Sequence, residues 1–368
     1  MTGPPARPQA RRAAFRRGLR QRSPLVLAAA AALLVPALLG VQSFFVSGAW
    51  SMVPLQSWMR NSTDDYMYVS WSVAAIKRDP PTLPTAVLLG GSSGRESTAD
   101  DASLAAAVRG AGGPRIAAYN LSSRMQRFAQ SWAIIDNLPD APTTVLIGVN
   151  LGRFTTSPAS NYNQVVGREL LLKSDSLRAF VVRESGQHAH SYTILPGIFS
   201  ALATYLKEHA RDLEARGRLQ APPYRQHIFD RRRALSVAEK RALVRTWLTH
   251  YYPAFRRLMT FHVELLDALV ARARERGLDV VIVELPYNRD LVGDAFDEAL
   301  AMYRGPTQAI ARRHGATYLD FNDKVTIPNA DFRDLSHLRA AGRSLWQAQL
   351  ARELARLYAT GVLRGAGP

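Results

Sequence analysis

Leu25 to Val41 reads LVLAAAAALLVPALLGV without a charge, and QSFFVSGAW carries the apolar character on to Trp50. A helix crossing a bilayer needs roughly 20 apolar residues, which this stretch supplies; its one proline, Pro36, is tolerable in a membrane helix. Seven arginines and no acid precede Ser23. That asymmetry places the N-terminus in the cytoplasm and the rest of the chain outside it. A cleaved signal peptide is the competing reading, since Ser47-Gly48-Ala49 offers small residues to a peptidase. A buried globular helix is a third, weakened by the lack of any polar face. The anchor reading divides the chain into a basic cytoplasmic tail (1–23), a transmembrane helix (24–47), a linker region (48–84) and an exported domain (85–368).

The 368 residues contain no cysteine, which excludes disulfides, thiolate metal sites and a cysteine nucleophile. The formal net charge of +17 suits nucleic acid, anionic lipid headgroups or acidic glycans. No zinc finger, RNP-type aromatic motif or helix-turn-helix is present, so nucleic acid is not an expected partner.

Past the proline-rich RDPPTLPT (78–85), short apolar runs fit buried parallel strands: 85–90, 115–119, 143–148, 279–285 and 316–321. Helical stretches separate them, among them 102–109, 125–135, 262–276 and a closing helix over 341–358. Alternation of this kind predicts a three-layer α/β/α fold around a five-stranded parallel sheet. The interval between the third and fourth strands is too long for one crossover, so a helical insertion is expected at about 153–260. Within it, Ser236 and Glu239 form a capping-box signature. TILPGIFSALATYL (193–206) reads as a core helix or as a surface touching the membrane. HAH (188–190) reads as surface rather than as a metal site, and DRRR (230–233) as a solvated helix start or a patch for anionic glycan or lipid. No metal or cofactor is expected.

Functional groups in open α/β sheets gather beyond the carboxyl ends of the strands. Gly90-Gly91-Ser92-Ser93 follows the first strand, and its glycines are expected to turn the backbone tightly and approach a bound acyl group. Asn120, Ser122 and Ser123 follow the second strand, Asn150 the third, and DFRDLSHL (331–338) comes after the fifth. These residues fit acyl transfer. A serine needs an adjacent base, which His337 can supply if Asp334, three residues earlier, holds its tautomer. The Ser92 backbone N–H and the Asn150 side-chain amide are candidate oxyanion donors. Arg95 and Glu96 could pair with each other or shape the pocket.

LLGGSS (88–93), IGVN (147–150) and DLSH (334–337) resemble, in order and strand-end placement, the first, third and fifth blocks of the SGNH (GDSL-type) hydrolases, over about 85–345. The resemblance implies a flavodoxin-like strand arrangement, Ser92 as nucleophile with Ser93 as its rival, Asp334 as orienting acid, His337 as base and Asn150 as oxyanion donor. The second block departs from the pattern: its usual oxyanion glycine falls in YNLSSRMQ (119–126), where Ser122 or Ser123 stands, so a Ser122 N–H is the expected donor. A single anchor before an exported domain of this type is similar to bacterial envelope proteins such as the teichoic-acid D-alanylation protein and the alginate O-acetyltransferases. That likeness implies an O-acetyltransferase or esterase on the periplasmic face of the inner membrane, acting on an envelope or secreted polysaccharide, with a multipass membrane O-acyltransferase as partner. The alternative is a catalytically silent glycan-binding or scaffold subunit.

Overall fold

A computed structural model describes residues 23–140, 142–163, 170–185, 195–216 and 223–364. Five parallel strands, β1 (Thr85–Leu89), β2 (Ala117–Asn120), β3 (Thr143–Val149), β4 (Asp279–Glu284) and β5 (Thr317–Leu319), form one sheet in the order β2-β1-β3-β4-β5. All pairings are parallel, with Thr85 opposite both Ala117 and Thr143, and Val145 opposite Val280. Every residue of β1, β3 and β4 is buried. That is why these strands read as continuous apolar runs and not as alternating ones.

The helices are α1 (Pro24–Val46), α2 (Asp65–Arg78), α3 (Ser92–Arg95), α4 (Asp101–Gly110), α5 (Phe128–Asn137), α6 (Pro158–Asn163) and α7 (Asp175–Ser185). They continue as α8 (Leu195–Arg216), α9 (Val237–Thr246), α10 (Tyr252–Glu275), α11 (Arg289–Val292), α12 (Asp297–Arg313) and α13 (Ala340–Ala359). Val87, Val145, Ile147 and Ile282 point to a core shared with α2, α5, α10 and α12. Leu88, Leu146, Val281 and Val283 point the other way, toward α4 and α13. Strict side-chain alternation along the strands thus makes the three layers that the sequence predicts.

Three parts of the chain carry more structure than their sequences suggest. The 48–84 stretch, read as a linker, holds α2, whose Val69, Val73 and Ile76 are buried in the main core. The Ser236–Glu239 capping box is formed, and the helix it opens runs through a π-turn at Trp247–Tyr251 straight into α10. The 230–233 stretch is a turn, not a helix start. On α8, Ile198 and Ala201 are buried, as the core reading of the 193–206 segment expects, while Phe199 and Leu206 are exposed.

The apolar helix α1 is 23 residues long, about 35 Å at 1.5 Å per residue, and the apolar window along it is entirely unburied. Its last turn is built into the domain. Phe45 stacks on Trp50 at 5.4 Å, and both rings meet Trp58 edge-on at 5.7 and 5.5 Å. Gly48 makes this junction possible: its φ is +83°, and a Cβ there would lie 2.6 Å from the Ala74 carbonyl oxygen. Gly48→Ala is therefore expected to cost about 2–3 kcal/mol, read as a lower urea midpoint of the detergent-solubilised chain. Gly40→Ala, where a Cβ meets nothing within 4 Å, is expected to leave the midpoint unchanged.

Candidate active site

The sheet order reverses direction between β1 and β3, and this switch point is where an open α/β sheet leaves a crevice. Ser92 begins α3 just beyond β1, and Asn150 stands just beyond β3. Neither Gly90 nor Gly91 has a positive φ, so the turn itself does not demand glycine. A Cβ on Gly90 would press on the Leu285 side chain at 3.2 Å, whereas Gly91 faces open space on the cavity wall and has room for one.

The Ser92 hydroxyl lies 2.7 Å from His337 Nε2, and His337 Nδ1 lies 2.8 Å from each Asp334 carboxylate oxygen. Burial pushes the Asp334 carboxyl up. Hydrogen bonds from the His337 ring, its charge, and the Ser336 and His337 backbone N–H groups outweigh that and hold the acid well below the usual carboxylate range. An ionised Asp334 only accepts hydrogen bonds, so Nδ1 carries the proton and Nε2 presents a lone pair to Ser92.

Neighbouring elements hold this turn in place. Asn288, beyond β4, donates its side-chain amide to the Asp334 carbonyl (3.1 Å) and its backbone N–H to the Leu335 carbonyl (2.8 Å). Buried Lys240 of α9 donates to the carbonyls of Asn329 and Phe332, each at 2.8 Å. Phe229 covers the His337 ring at 4.4 Å, and Arg333, which also donates to Asp334 at 2.8 Å, lies 4.9 Å over Phe229.

Ser93 is placed differently. It is buried and has no base beside it; its hydroxyl accepts from Asn150 Nδ2 at 2.6 Å. The Asn150 Oδ1 caps the following turn by accepting the Arg153 N–H at 3.2 Å. Asn150 therefore acts as a cap with its oxygen and keeps one amide hydrogen for the cavity. The Ser92 N–H lies outside the ladder of α3, whose first bond runs from the Arg95 N–H to the Gly91 carbonyl. Ser122 does not offer the donor expected of it. Its N–H goes to Asn120 Oδ1 (3.1 Å), its hydroxyl faces the Leu88 carbonyl (3.4 Å), and the Ser123 N–H goes to the Gly90 carbonyl (3.1 Å). Both serines are fully buried, so this loop turns its amides into the protein.

Ser92, Ser93 and Asn150 open onto a cavity of about 350 Å³ whose apolar wall includes Leu151, Trp247, Phe296, Leu300 and Leu335. Trp247 starts the π-turn, so the insertion supplies part of this wall. Charged groups also border the cavity, but each is engaged. Glu284 accepts from Tyr303 (2.7 Å), Tyr318 (2.6 Å) and Arg304 (3.2 Å). Arg153 donates to the Gly148 carbonyl (2.7 Å) and Ser131 (2.8 Å), with its guanidinium 4.2 Å over Phe128.

Behind Ser92, fully buried Arg95 bonds Asp65 at 2.6 Å and Glu96 at 2.8 Å, the latter pair being one the sequence suggested. Arg343 of α13 reaches Glu96 and Asp230. HAH (188–190) lies outside the described residues; among those described, no cluster could hold a metal ion.

No protein-family model matches the sequence, and no curated protein matches it. Among solved structures, the chain is similar to protein YxiM of Bacillus subtilis, at 12% identity and a TM-score of 0.34, over 77% of this chain and 58% of that one. It is also similar to phospholipase A1 from Streptomyces albidoflavus NA297, at 12% identity and a TM-score of 0.31, over 74% of this chain and 100% of that one. The chain thus spans under two thirds of the length of YxiM.

His262 supports the cavity from below. It is fully buried among Phe128, Phe154 and Phe261, and its Nε2 donates to the carbonyl of Thr156 on the cavity wall (2.8 Å). Burial, and secondarily the Arg153 charge, push its pKa down to about 4. Unfolded, the ring titrates near 6.5. The stability it contributes is therefore complete above about pH 6.5 and is lost as pH falls toward 4. From this group alone the fold is expected to lose about 2 kcal/mol between pH 7 and pH 5. His262→Gln keeps a donor for Thr156 and has no proton to gain, so urea midpoints at the two pH values should lie closer together than in the wild type.

Proposed function

We propose that this chain is a serine acyl-transfer enzyme, an esterase or O-acetyltransferase, held at the outer face of the bacterial inner membrane and acting on an envelope or secreted polysaccharide. The observation that carries the reading is the unbroken hydrogen-bond chain Ser92–His337–Asp334 at a largely apolar cavity. In the proposed reaction Ser92 Oγ attacks the ester carbonyl while His337 Nε2 takes its proton. The negative oxygen of the tetrahedral intermediate receives the free Asn150 amide hydrogen and the Ser92 N–H. Collapse expels the alcohol, which takes the proton back from His337 and leaves an acyl group on Ser92. Water or a sugar hydroxyl then gives its proton to His337 and attacks the acyl-enzyme; acid or a new ester is released as Ser92 Oγ leaves and takes that proton back from His337. Asp334 stays ionised throughout and keeps the imidazole in the right tautomer.

Retention of α1 as an anchor, with its multipass acyltransferase partner, belongs to the same proposal. It is supported by Phe45, which is 2% exposed between Trp50 and Trp58. Cleavage after Ala49 would remove that ring and bare both indoles. An anchor fixes the enzyme beside a local substrate.

A fluorophosphonate probe tests the serine. Labelling should vanish in Ser92→Ala and persist in Ser93→Ala; a folded wild-type chain that takes no label would sink the enzyme reading and favour the scaffold. Asp334→Asn is expected to slow ester turnover by about 10³-fold or more, because a neutral amide no longer selects the Nδ1–H tautomer. Turnover of a nitrophenyl ester measures this, and a loss of less than tenfold would remove Asp334 from the mechanism.

A further inference from the structure

We infer that the serine site faces away from the lipid bilayer, so that the ester it acts on is water-borne, on a soluble molecule or a polymer, and not part of a bilayer lipid. The inference rests on the anchored serine-enzyme reading and goes beyond it by naming where the substrate must be.

Helix α2 spans the distance between the two features. At its C-terminal end, Lys77 donates to the carbonyl of Val46, the last residue of α1 (3.1 Å), and Arg78 donates to Ser51 (2.9 Å). At its N-terminal end, Asp65 bonds Arg95 at 2.6 Å and the Arg124 N–H at 2.9 Å, and Tyr66 donates to the Arg124 carbonyl (2.9 Å). The next residue, Met125, stands on the cavity rim. Fourteen residues of helix lie between these ends, about 21 Å.

Helix α5 gives the same direction independently. It starts at Phe128, beside the cavity loop, and ends at Asn137, which Lys77 reaches at 3.5 Å near the anchor. Strands β1 and β3 agree as well: β1 begins seven residues after Arg78 and β3 six residues after Asn137, the anchor-side ends of α2 and α5, while Ser92 and Asn150 lie beyond their C-terminal ends. A carbonyl within a lipid layer at the α1 exit would therefore stand a helix length from Ser92 Oγ. Acyl transfer needs reacting atoms about 3 Å apart.

The absence of native cysteine allows single-site labelling. Met52 is 75% exposed beside the anchor, and Met125 is 70% exposed at the rim. The full chain carrying Met52→Cys or Met125→Cys, each with a fluorophore, is inserted into phosphatidylglycerol–phosphatidylethanolamine vesicles with a headgroup-attached quencher. The expected result is strong quenching at position 52 and little at 125. Quenching at 125 equal to that at 52 overturns the inference. Quenching at neither, with protein washing off the vesicles, overturns the anchor reading and the inference with it. Fluorophosphonate labelling of the same vesicles reports on the serine separately, so a labelled chain quenched at 125 refutes the orientation alone. As a second measure, a soluble ester should turn over at least about 100-fold faster than the same acyl group on a vesicle phospholipid; equal rates would also overturn it.

Discussion

Arg95 is the charge around which the site is assembled. It has no exposed surface, and a guanidinium stripped of water is tolerable only when its donors are taken up by opposite charge. Its partners come from both directions along the chain: Asp65 from the helix before the sheet, and Glu96 from the next residue. Each carboxylate then collects further donors. Asp65 also takes Arg124 and Tyr224, and Glu96 takes His227, the Ile228 N–H and Arg343. Removing Arg95 would leave two buried carboxylates short of counter-charge immediately behind Ser92, at a cost of about 3–5 kcal/mol.

The network explains why the segments outside the sheet belong to the site. The return of the insertion, residues 224–230, enters it with Tyr224, Gln226, His227 and Asp230. Tyr224 also stacks flat on Tyr68 of α2 at 4.0 Å. This places Phe229 on the His337 ring, so a segment more than a hundred residues from the Asp-His turn in sequence covers the face of the proposed base. Lys240 works the same way, since a buried ammonium with three carbonyl-type acceptors fixes the backbone of 329–332 that leads into Asp334. The sheet presents the groups, and buried charges from the flanking segments hold them at their spacing.

What could be read from the sequence follows the range of the interactions. Strands β1, β3 and β4 are buried on both faces, so apolar runs marked them to within a residue or two. The Ser92, Asn150 and Asp334–His337 groups were legible because each sits at a strand end or within one short turn. Asp65 was not, because an acid in a helix's first turn is ordinary dipole chemistry, and nothing local says that it faces a buried arginine thirty residues on. The 48–84 stretch read as linker because α2 mixes tyrosines, serines and charges around a narrow apolar stripe. DRRR (230–233) read as a solvated helix start or a patch for anionic glycan or lipid; its four residues are exposed, but they form a turn, with Asp230 tied to Arg343 and Arg232 over Phe229. Trp247 gave no sign of a π-turn, since the weak helix formers Thr246, Thr249, His250 and Tyr251, followed by Pro253, read as the end of one helix and not as a bulge within a longer one.

The tandem serines and the altered second block are best understood together. With the Ser122 and Ser123 amides spent inside the protein, the proposed oxyanion site rests on the Ser92 N–H and the Asn150 amide. A side-chain amide stabilises a transition state well only if it is fixed beforehand, because reorientation during reaction forfeits the gain. Asn150 is held at both ends: the Arg153 N–H binds its oxygen, and Ser93 Oγ accepts one amide hydrogen. Those two bonds set the amide plane, and with it the direction of the remaining hydrogen. On this reading Ser93 is neither a spare nucleophile nor a turn residue but a positioning group for the donor beside Ser92. Two adjacent hydroxyls that look interchangeable in sequence then separate by partner, one facing the base and the other the amide.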